Sequence, residues 1–417
     1  MNKYNNLIIK RSDCRICKSK KIKKVVDLGL MPLAGNFVEY KDKNKREAKF
    51  PLDLYFCSNC KLVQVKDTIK PDFLFKKYNY SSSTIKALNE HFNKYSKEIT
   101  KKYKNKKKFK ILEFGCNDGI LLSKLVKYKN FTCLGVDPSK NISNIAKKKS
   151  INIVNDYFNV KTANSILKKF DKFDYITASN VFAHIDDIHS VINASKILLK
   201  DNGVLVIEVH YLMNLLNLNQ YDFFYHEHVN YYSILSIKKL FKIHNFVIEK
   251  IKKTKMHGGS LRVFLKKKKF YKKTQNIRIK KSLKFESKIN YSFFKKFNKN
   301  ILNQKKTITQ ILSKLKNDNR NIIGYGASGR GTTFLNYCNI NNGTIKVIID
   351  DSPFRAGKIM PGVKIPIKNF NYLKKNAKKV DFILIIAWNY KVSIINKVRK
   401  VNNNIKFIIP FPKPIIV

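Results

Sequence analysis

The sequence predicts an α/β chain with two doubly wound parallel sheets behind a small cysteine-bearing module. Three observations carry this. Short apolar runs at 109–114, 131–137, 173–179 and 203–209 alternate with amphipathic stretches at 120–128 and 187–199, the pattern of buried strands joined by crossover helices. A second series of apolar runs follows at 321–327, 344–350, 380–388 and 405–411. Ahead of both stand two Cys-x-x-Cys pairs, Cys14/Cys17 and Cys57/Cys60. Between the two strand series, residues 266–316 hold 18 Lys and Arg but one acid, Glu286, and are expected to form a helical bridge.

The length of 417 residues suits two or three domains, and 44% hydrophobic residues are enough to build their cores. The charge is extreme: 85 Lys+Arg against 28 Asp+Glu give +57. That first suggests a nucleic-acid partner, but only nine of the cations are arginine, the residue whose planar fork reads bases and grips phosphates. The lysines are spread along most of the chain, which is what solvated faces under A/T-rich codon bias produce. A nucleic-acid surface is therefore not expected. Apolar stretches such as 382–388 are far too short to span a bilayer, and residues 1–14 lack the apolar core of a secretory signal. The cytoplasm is the expected location.

In a reducing compartment the four paired cysteines point to metal. Each Cys-x-x-Cys turn aims two thiolates at one point, and two turns complete a tetrahedral shell, so Cys14, Cys17, Cys57 and Cys60 are expected to hold a structural zinc. Four thiolates leave no open coordination position. The 39 residues between Cys17 and Cys57 must carry a small structure of their own.

The first strand series opens on a glycine turn, Glu113-Phe114-Gly115-Cys116-Asn117-Asp118-Gly119, and the next strand ends in Asp137. Glycines allow tight turning and close approach of backbone to ligand, and an acid after the second strand suits the two ribose hydroxyls of a nucleoside. Glu113 would repel a pyrophosphate but suits a cationic cofactor carrying an amino group, which favours S-adenosylmethionine (SAM) over a dinucleotide. Seven of eight histidines fall between 184 and 257, densest in Tyr225-His226-Glu227-His228. His226 and His228 share a face if extended but lack an evident third metal ligand. An acid–base role fits better, because histidine titrates near neutrality and a neighbouring carboxylate can fix its tautomer.

These motifs, with Cys14-Arg15-Ile16-Cys17, Tyr78-Asn79-Tyr80-Ser81-Ser82, Asn180-Val181-Phe182-Ala183-His184, His257-Gly258-Gly259-Ser260-Leu261-Arg262, Gly324-Tyr325-Gly326-Ala327 and Asp350-Asp351-Ser352-Pro353, follow one another in a single order. The chain resembles, nearly end to end, the nucleotide-sugar C-methyltransferases typified by the tetronitrose C-3'-methyltransferase. The resemblance implies three parts: a zinc-binding domain over 1–70, a SAM-binding Rossmann-like domain over 71–265, and the helical bridge with a second Rossmann-like domain over 266–417. It implies methyl transfer from SAM to a carbon beside the ketone of a nucleotide-linked 4-keto sugar. His228 is then the base that removes the carbon proton and Glu227 orients the site. Tyr225 and Tyr80 face the enolate oxygen, and His184 is a further active-site histidine. Glu113, Gly115, Asn117, Asp118, Gly119, Asp137 and Asn180 would hold SAM. His257, Arg262, Tyr325, Arg330 and Asp351 would contact the sugar nucleotide, with Arg330 a phosphate contact at a helix start. Two alternatives stay open at this point: O- or N-methylation of a sugar precursor, which needs no carbon-acid base, and a basic zinc-ribbon protein binding nucleic acid.

Overall fold

The computed structural model describes residues 5–75, 81–271 and 277–417. The chain divides into two compact units. One comprises Met1–Lys23, Phe56–Leu212 and Val229–Ile289; the other comprises Lys24–Tyr55, Met213–His228 and Asn290–Val417.

The first unit is organised by a seven-stranded sheet. Its strands, in spatial order, are Phe246–Thr254, Ser260–Lys267, Leu199–His210, Phe173–Ser179, Phe109–Phe114, Phe131–Val136 and Asn152–Val154. The last five are parallel, and the first two form an antiparallel hairpin against Leu199–His210. Parallel strands are covered on both faces, which is why Phe109, Ile111 and Leu112 are all fully buried and the strand lacks alternation. The helix Lys86–Tyr103 buries Leu88, Phe92, Tyr95 and Ile99, a stripe at helical spacing. From Phe109–Phe114 the chain lays its next strand on one side and Phe173–Ser179 on the other. That reversal opens a crevice beyond the strands' carboxyl ends, where ligands of such sheets bind.

Two local features depart from the sequence pattern. The stretch 120–128, expected as a crossover helix, holds only a 3-10 helix at Leu122–Lys124, closed by bonds such as Leu125 N to Leu122 O at 2.9 Å. The basic bridge is two helices, Ile277–Glu286 and Tyr291–Asn317, assigned to different units. Its one acid has a specific task. Glu286, fully buried, accepts from Tyr211 Oη at 2.8 Å and from Ile234 N and Leu235 N at 3.0 and 2.6 Å, so it caps the helix Ile234–Ile243.

The second unit centres on a six-stranded sheet in the order Ile367–Lys368, Ile348–Ile349, Ile322–Tyr325, Phe382–Ile385, Lys406–Ile409 and Ile415–Ile416, parallel except for the last strand. The 27-residue helix Tyr291–Asn317 buries Phe294, Phe297, Ile301, Gln304, Ile308 and Leu312 along one stripe, and Gln304 Nε2 donates to Pro410 O at 2.7 Å. The segment between the cysteine pairs does carry structure of its own, and it groups with this unit. Val38–Glu39 pairs antiparallel with Lys358–Ile359, and Glu47 accepts from Gly362 N at 2.9 Å. Among the described residues no helix is long and apolar enough to cross a membrane.

Candidate active site and metal centre

In the first unit the sulfur atoms of Cys14, Cys17, Cys57 and Cys60 all lie within 4.8 Å of one another, with Cys14–Cys60 at 3.3 Å and Cys17–Cys57 at 3.6 Å. A tetrahedral zinc with ~2.3 Å Zn–S bonds needs edges of about 3.8 Å, so the four thiolates fit the ion. Each turn closes the same way: Lys18 N bonds Cys14 O and Lys61 N bonds Cys57 O, both at 2.9 Å, with Lys18 and Lys61 at φ +56° and +65°. Arg15, inside the first turn and fully buried, reaches Asp186 Oδ1 at 2.8 Å and Thr68 Oγ1 at 2.6 Å. Asp186 also accepts from Arg11 at 2.8 Å, so the cysteine turn is tied to the segment that follows His184.

Within the same unit, the glycine turn wraps the carboxyl end of Phe109–Phe114. Gly115 has φ +62°, and a Cβ there would stand 2.3 Å from Val181 Cγ2; Gly119 has φ +72° and would meet Ile151 Cδ1 at 2.5 Å. Both backbone conformation and space therefore require glycine. Asp137 accepts from Asn117 N and Ser139 N, each at 2.9 Å, which stiffens the turn and leaves lone pairs on both oxygens. Asp118 Oδ2 accepts from the hydroxyls of Ser81 and Ser83, and Asn117 Oδ1 from Ser82 N at 2.9 Å. Tyr80 lies outside the described residues.

Several buried polar atoms at this end of the sheet have no hydrogen-bond partner among the described residues: Glu113 Oε2, Asp118 Oδ1, Ser179 Oγ and Asn180 Oδ1. Buried polar atoms are normally satisfied, so a cluster of orphans at the sheet's reversal marks a ligand site. Burial, then the charges of Asp118 and Asp137, holds the Glu113 carboxyl well above the usual range. Burial likewise raises Asp137, against the amides of Ser139 and Asn117. Three acids gathered at one turn, two within it and Asp137 from the end of the next strand, disfavour a phosphate and favour hydroxyls and a cation.

His184, His257 and Arg262, also of this unit, are placed as follows. His184 meets the ring of Phe75 edge-on at 5.5 Å. His257, at φ +51°, sits edge-on to the buried His210 at 5.4 Å. Arg262 is 2% exposed; its Nε binds Glu208 at 2.8 Å, its other nitrogens face Glu98 and His91, and its guanidinium lies 3.5 Å from the centroid of Tyr95. Those bonds lock adjacent strands together.

In the second unit, the histidine cluster forms a defined chain. His228 Nδ1 lies 3.2 Å from Phe223 O, and Nε2 lies 2.9 Å from Tyr225 Oη, whose ring covers the imidazole at 4.0 Å. A carbonyl can only accept, so Nδ1 carries a proton; in the neutral ring Nε2 then presents its lone pair and takes a hydrogen bond from Tyr225. His226 is different. Buried against Phe50, with Nε2 3.2 Å from Pro51 O, it is lowered by desolvation to a pKa of about 4 and is a core histidine. Glu227 stands over Gly35, where a Cβ would come within 2.9 Å of Oε1. Around the second glycine turn, Gly326 has φ +96°, Tyr325 Oη donates to Asp351 at 3.0 Å, and Arg330 NH2 binds the buried Asp222.

Three family models match the chain in order: "Putative zinc binding domain" over 14–75, "Methyltransferase domain" over 86–251, and "C-methyltransferase C-terminal domain" over 255–412. The chain is 29% identical to C-methyltransferase NovU of Streptomyces niveus over 97% of its own length and 96% of that protein's. The chain is a SAM-dependent methyltransferase with the domain set of the C-methyltransferases. Over 133 residues it is 32% identical to a ubiquinone biosynthesis O-methyltransferase of Pelagibacter ubique, covering 31% of this chain and 53% of that one. For this methyltransferase the orphaned acids and Asn180 fit the hydroxyls and ammonium of SAM, and the cysteine cage fits zinc. Sequence reasoning overlooked Ser179, Asp186 and Asp222. The last had a visible signal, a lone acid inside the apolar run Tyr221–Tyr225.

Proposed function

We propose that this methyltransferase acts in the cytoplasm on a nucleoside-diphosphate 4-keto sugar, methylating the ring carbon beside the ketone in deoxysugar or surface-polysaccharide synthesis. The observation that carries the reading is the Phe223–His228–Tyr225 chain, which presents a neutral imidazole nitrogen next to a phenol. A carbon proton is a poor acid until a neighbouring ketone takes the charge as an enolate, so the reaction needs a base matched to neutral pH and a donor for the oxyanion. In the proposed step Tyr225 turns its hydroxyl from His228 Nε2 to the ketone oxygen. The freed Nε2 then takes the proton from the adjacent carbon, and Phe223 O stabilises the imidazolium through Nδ1–H. Tyr80 is the second candidate donor to the enolate, Glu227 orients the histidine segment, and His184 is a further active-site candidate. Glu113, Gly115, Asn117, Asp118, Gly119, Asp137 and Asn180 are proposed to hold SAM, which when bound supplies an electrophilic methyl group. Tyr325, Asp351 and His257 remain candidates for the sugar nucleotide.

The test is hydrogen exchange. Purified enzyme with a panel of 4-keto sugar nucleotides in heavy water, without SAM, should exchange the hydrogen on the carbon to be methylated, and His228→Asn should slow this at least ~100-fold, the lower range for a general base. With SAM, mass and fragmentation of the product should put the methyl on carbon. No exchange by the parent, or methyl on oxygen, removes the reading.

A further inference from the structure

We infer that Asp222 and Arg330 are positioning residues for His228, not ligands of the substrate's phosphates. The inference rests on the C-methylation reading above and concerns only the second unit. Asp222 is 1% exposed, and its Oδ2 accepts both from Arg330 NH2 and from Trp388 Nε1, the latter at 2.9 Å. The Arg330 guanidinium is covered by aromatic rings, lying 3.7 Å from the centroid of Phe223 and 4.9 Å from that of Trp388. Arg330 therefore grips two consecutive residues, Asp222 through its charge and Phe223 through its face. Phe223 is the residue whose carbonyl accepts the hydrogen bond from Nδ1–H of His228 and so holds the ring in the form whose basic nitrogen is Nε2.

The same helix, Gly329–Tyr337, makes a second contact of the same kind. Thr333, one turn after Arg330 and on the same side, donates its hydroxyl to Phe224 O at 2.9 Å. Just beyond the helix, Cys338 Sγ lies 3.2 Å from Tyr221 Oη. Tyr221, Asp222, Phe223 and Phe224 are thus held one after another by the helix that follows the second glycine turn and the residue that ends it. A phosphate contact suits this arginine poorly. Its charge is offset by a buried carboxylate, a phosphate beside Asp222 would meet like charge, and stacking occupies the planar surface. A lysine ammonium cannot stack in this way, so Arg330→Lys keeps the charge and removes the grip on Phe223.

Two readouts test this in the full-length zinc-loaded enzyme. In kinetics with the sugar nucleotide that the parent turns over, Arg330→Lys should lower kcat at least ~10-fold while KM for the sugar nucleotide stays within ~3-fold, the pattern of a lost catalytic geometry. Unchanged kcat with KM raised ~10-fold or more would instead make Arg330 a phosphate ligand and overturn the inference. The second readout needs no substrate. Long-range ¹H–¹⁵N spectra of histidine-labelled protein, with His228→Asn giving the assignment, should show one fixed Nδ1–H tautomer in the parent and a tautomer mixture in Arg330→Lys. An unchanged tautomer overturns the inference. Thr333→Val, which deletes one hydroxyl, guards against a folding defect: it should give the same kcat-selective loss in milder form, and parental kcat overturns the inference. Absence of hydrogen exchange by the parent speaks against C-methylation itself, while the tautomer spectra still decide the positioning claim.

Discussion

Replacing Gly115 by alanine tests the first glycine turn, the proposed SAM site, most directly, because the structure fixes both parts of the cost. The residue sits at φ +62°, where an L side chain costs roughly 1–2 kcal/mol. Its new Cβ would stand 2.3 Å from Val181 Cγ2 and 2.9 Å from Cγ1, far inside contact distance, and overpacking of this kind costs about 1–3 kcal/mol. Together the expected destabilisation is roughly 2–5 kcal/mol, concentrated on a turn that also carries Asn117 and Asp118. Val181 follows Asn180, so displacing it also moves the neighbouring orphaned amide. The assay pairs denaturant unfolding with calorimetric SAM binding for Gly115→Ala, Val181→Ala and the double variant. Removing the valine methyls should recover the steric share and leave the backbone share, giving a coupling of about 1–3 kcal/mol of opposite sign to the single losses. Gly115→Ala within 0.5 kcal/mol of the parent, or no recovery in the double variant, would refute the reasoning, the threshold being the usual scatter of independent sites of about 0.5 kcal/mol.

The remaining expectations concern the metal and the buried histidine. Elemental analysis of purified enzyme should give one zinc per chain, and Cys57→Ser should lose it together with stability, since structural zinc contributes its binding free energy to folding; a Cys57→Ser protein with parental zinc content contradicts the four-thiolate cage. His226, lowered to a pKa of about 4 against an unfolded value near ~6.5, is neutral in the fold and charges more readily when unfolded. Its contribution is therefore complete above pH ~6.5 and lost as pH falls through about 4, up to about 3 kcal/mol from the shift, and unfolding curves of His226→Gln should lack that slope.

Much of the site was legible because its signals are local. The spacing of Cys14/Cys17 and Cys57/Cys60 is itself the geometry of two metal-binding turns, and Gly115 and Gly119 stand where a positive φ and a crowded neighbour leave no alternative. The acids Glu113 and Asp137 ended strands that apolar runs had already marked. The stretch 120–128 misled because Leu121, Leu122 and Leu125 supply a helical apolar spacing that the structure uses to bury a 3-10 turn instead. Arg262 and Arg330 stood as candidate contacts for the sugar nucleotide; nothing in their neighbours' sequence announces that Glu208 and Asp222 are buried opposite them.

The net charge of +57, so prominent in the sequence, has little part in these features. What the sequence alone determined were properties set within a few residues: the cysteine turns, the glycine turns with their acids, and the alternation of strands and helices. Tertiary structure decided which distant residues meet. It assigned the segment between the cysteine pairs and the histidine cluster to the same unit as the second sheet, and it brought the Thr333 hydroxyl to the Phe224 carbonyl beside that cluster. It also set a buried acid beside each of the two arginines. Backbone conformation and strand period act over one turn or one pleat, whereas burial, and with it charge pairing and pKa, depends on what packs above each side chain.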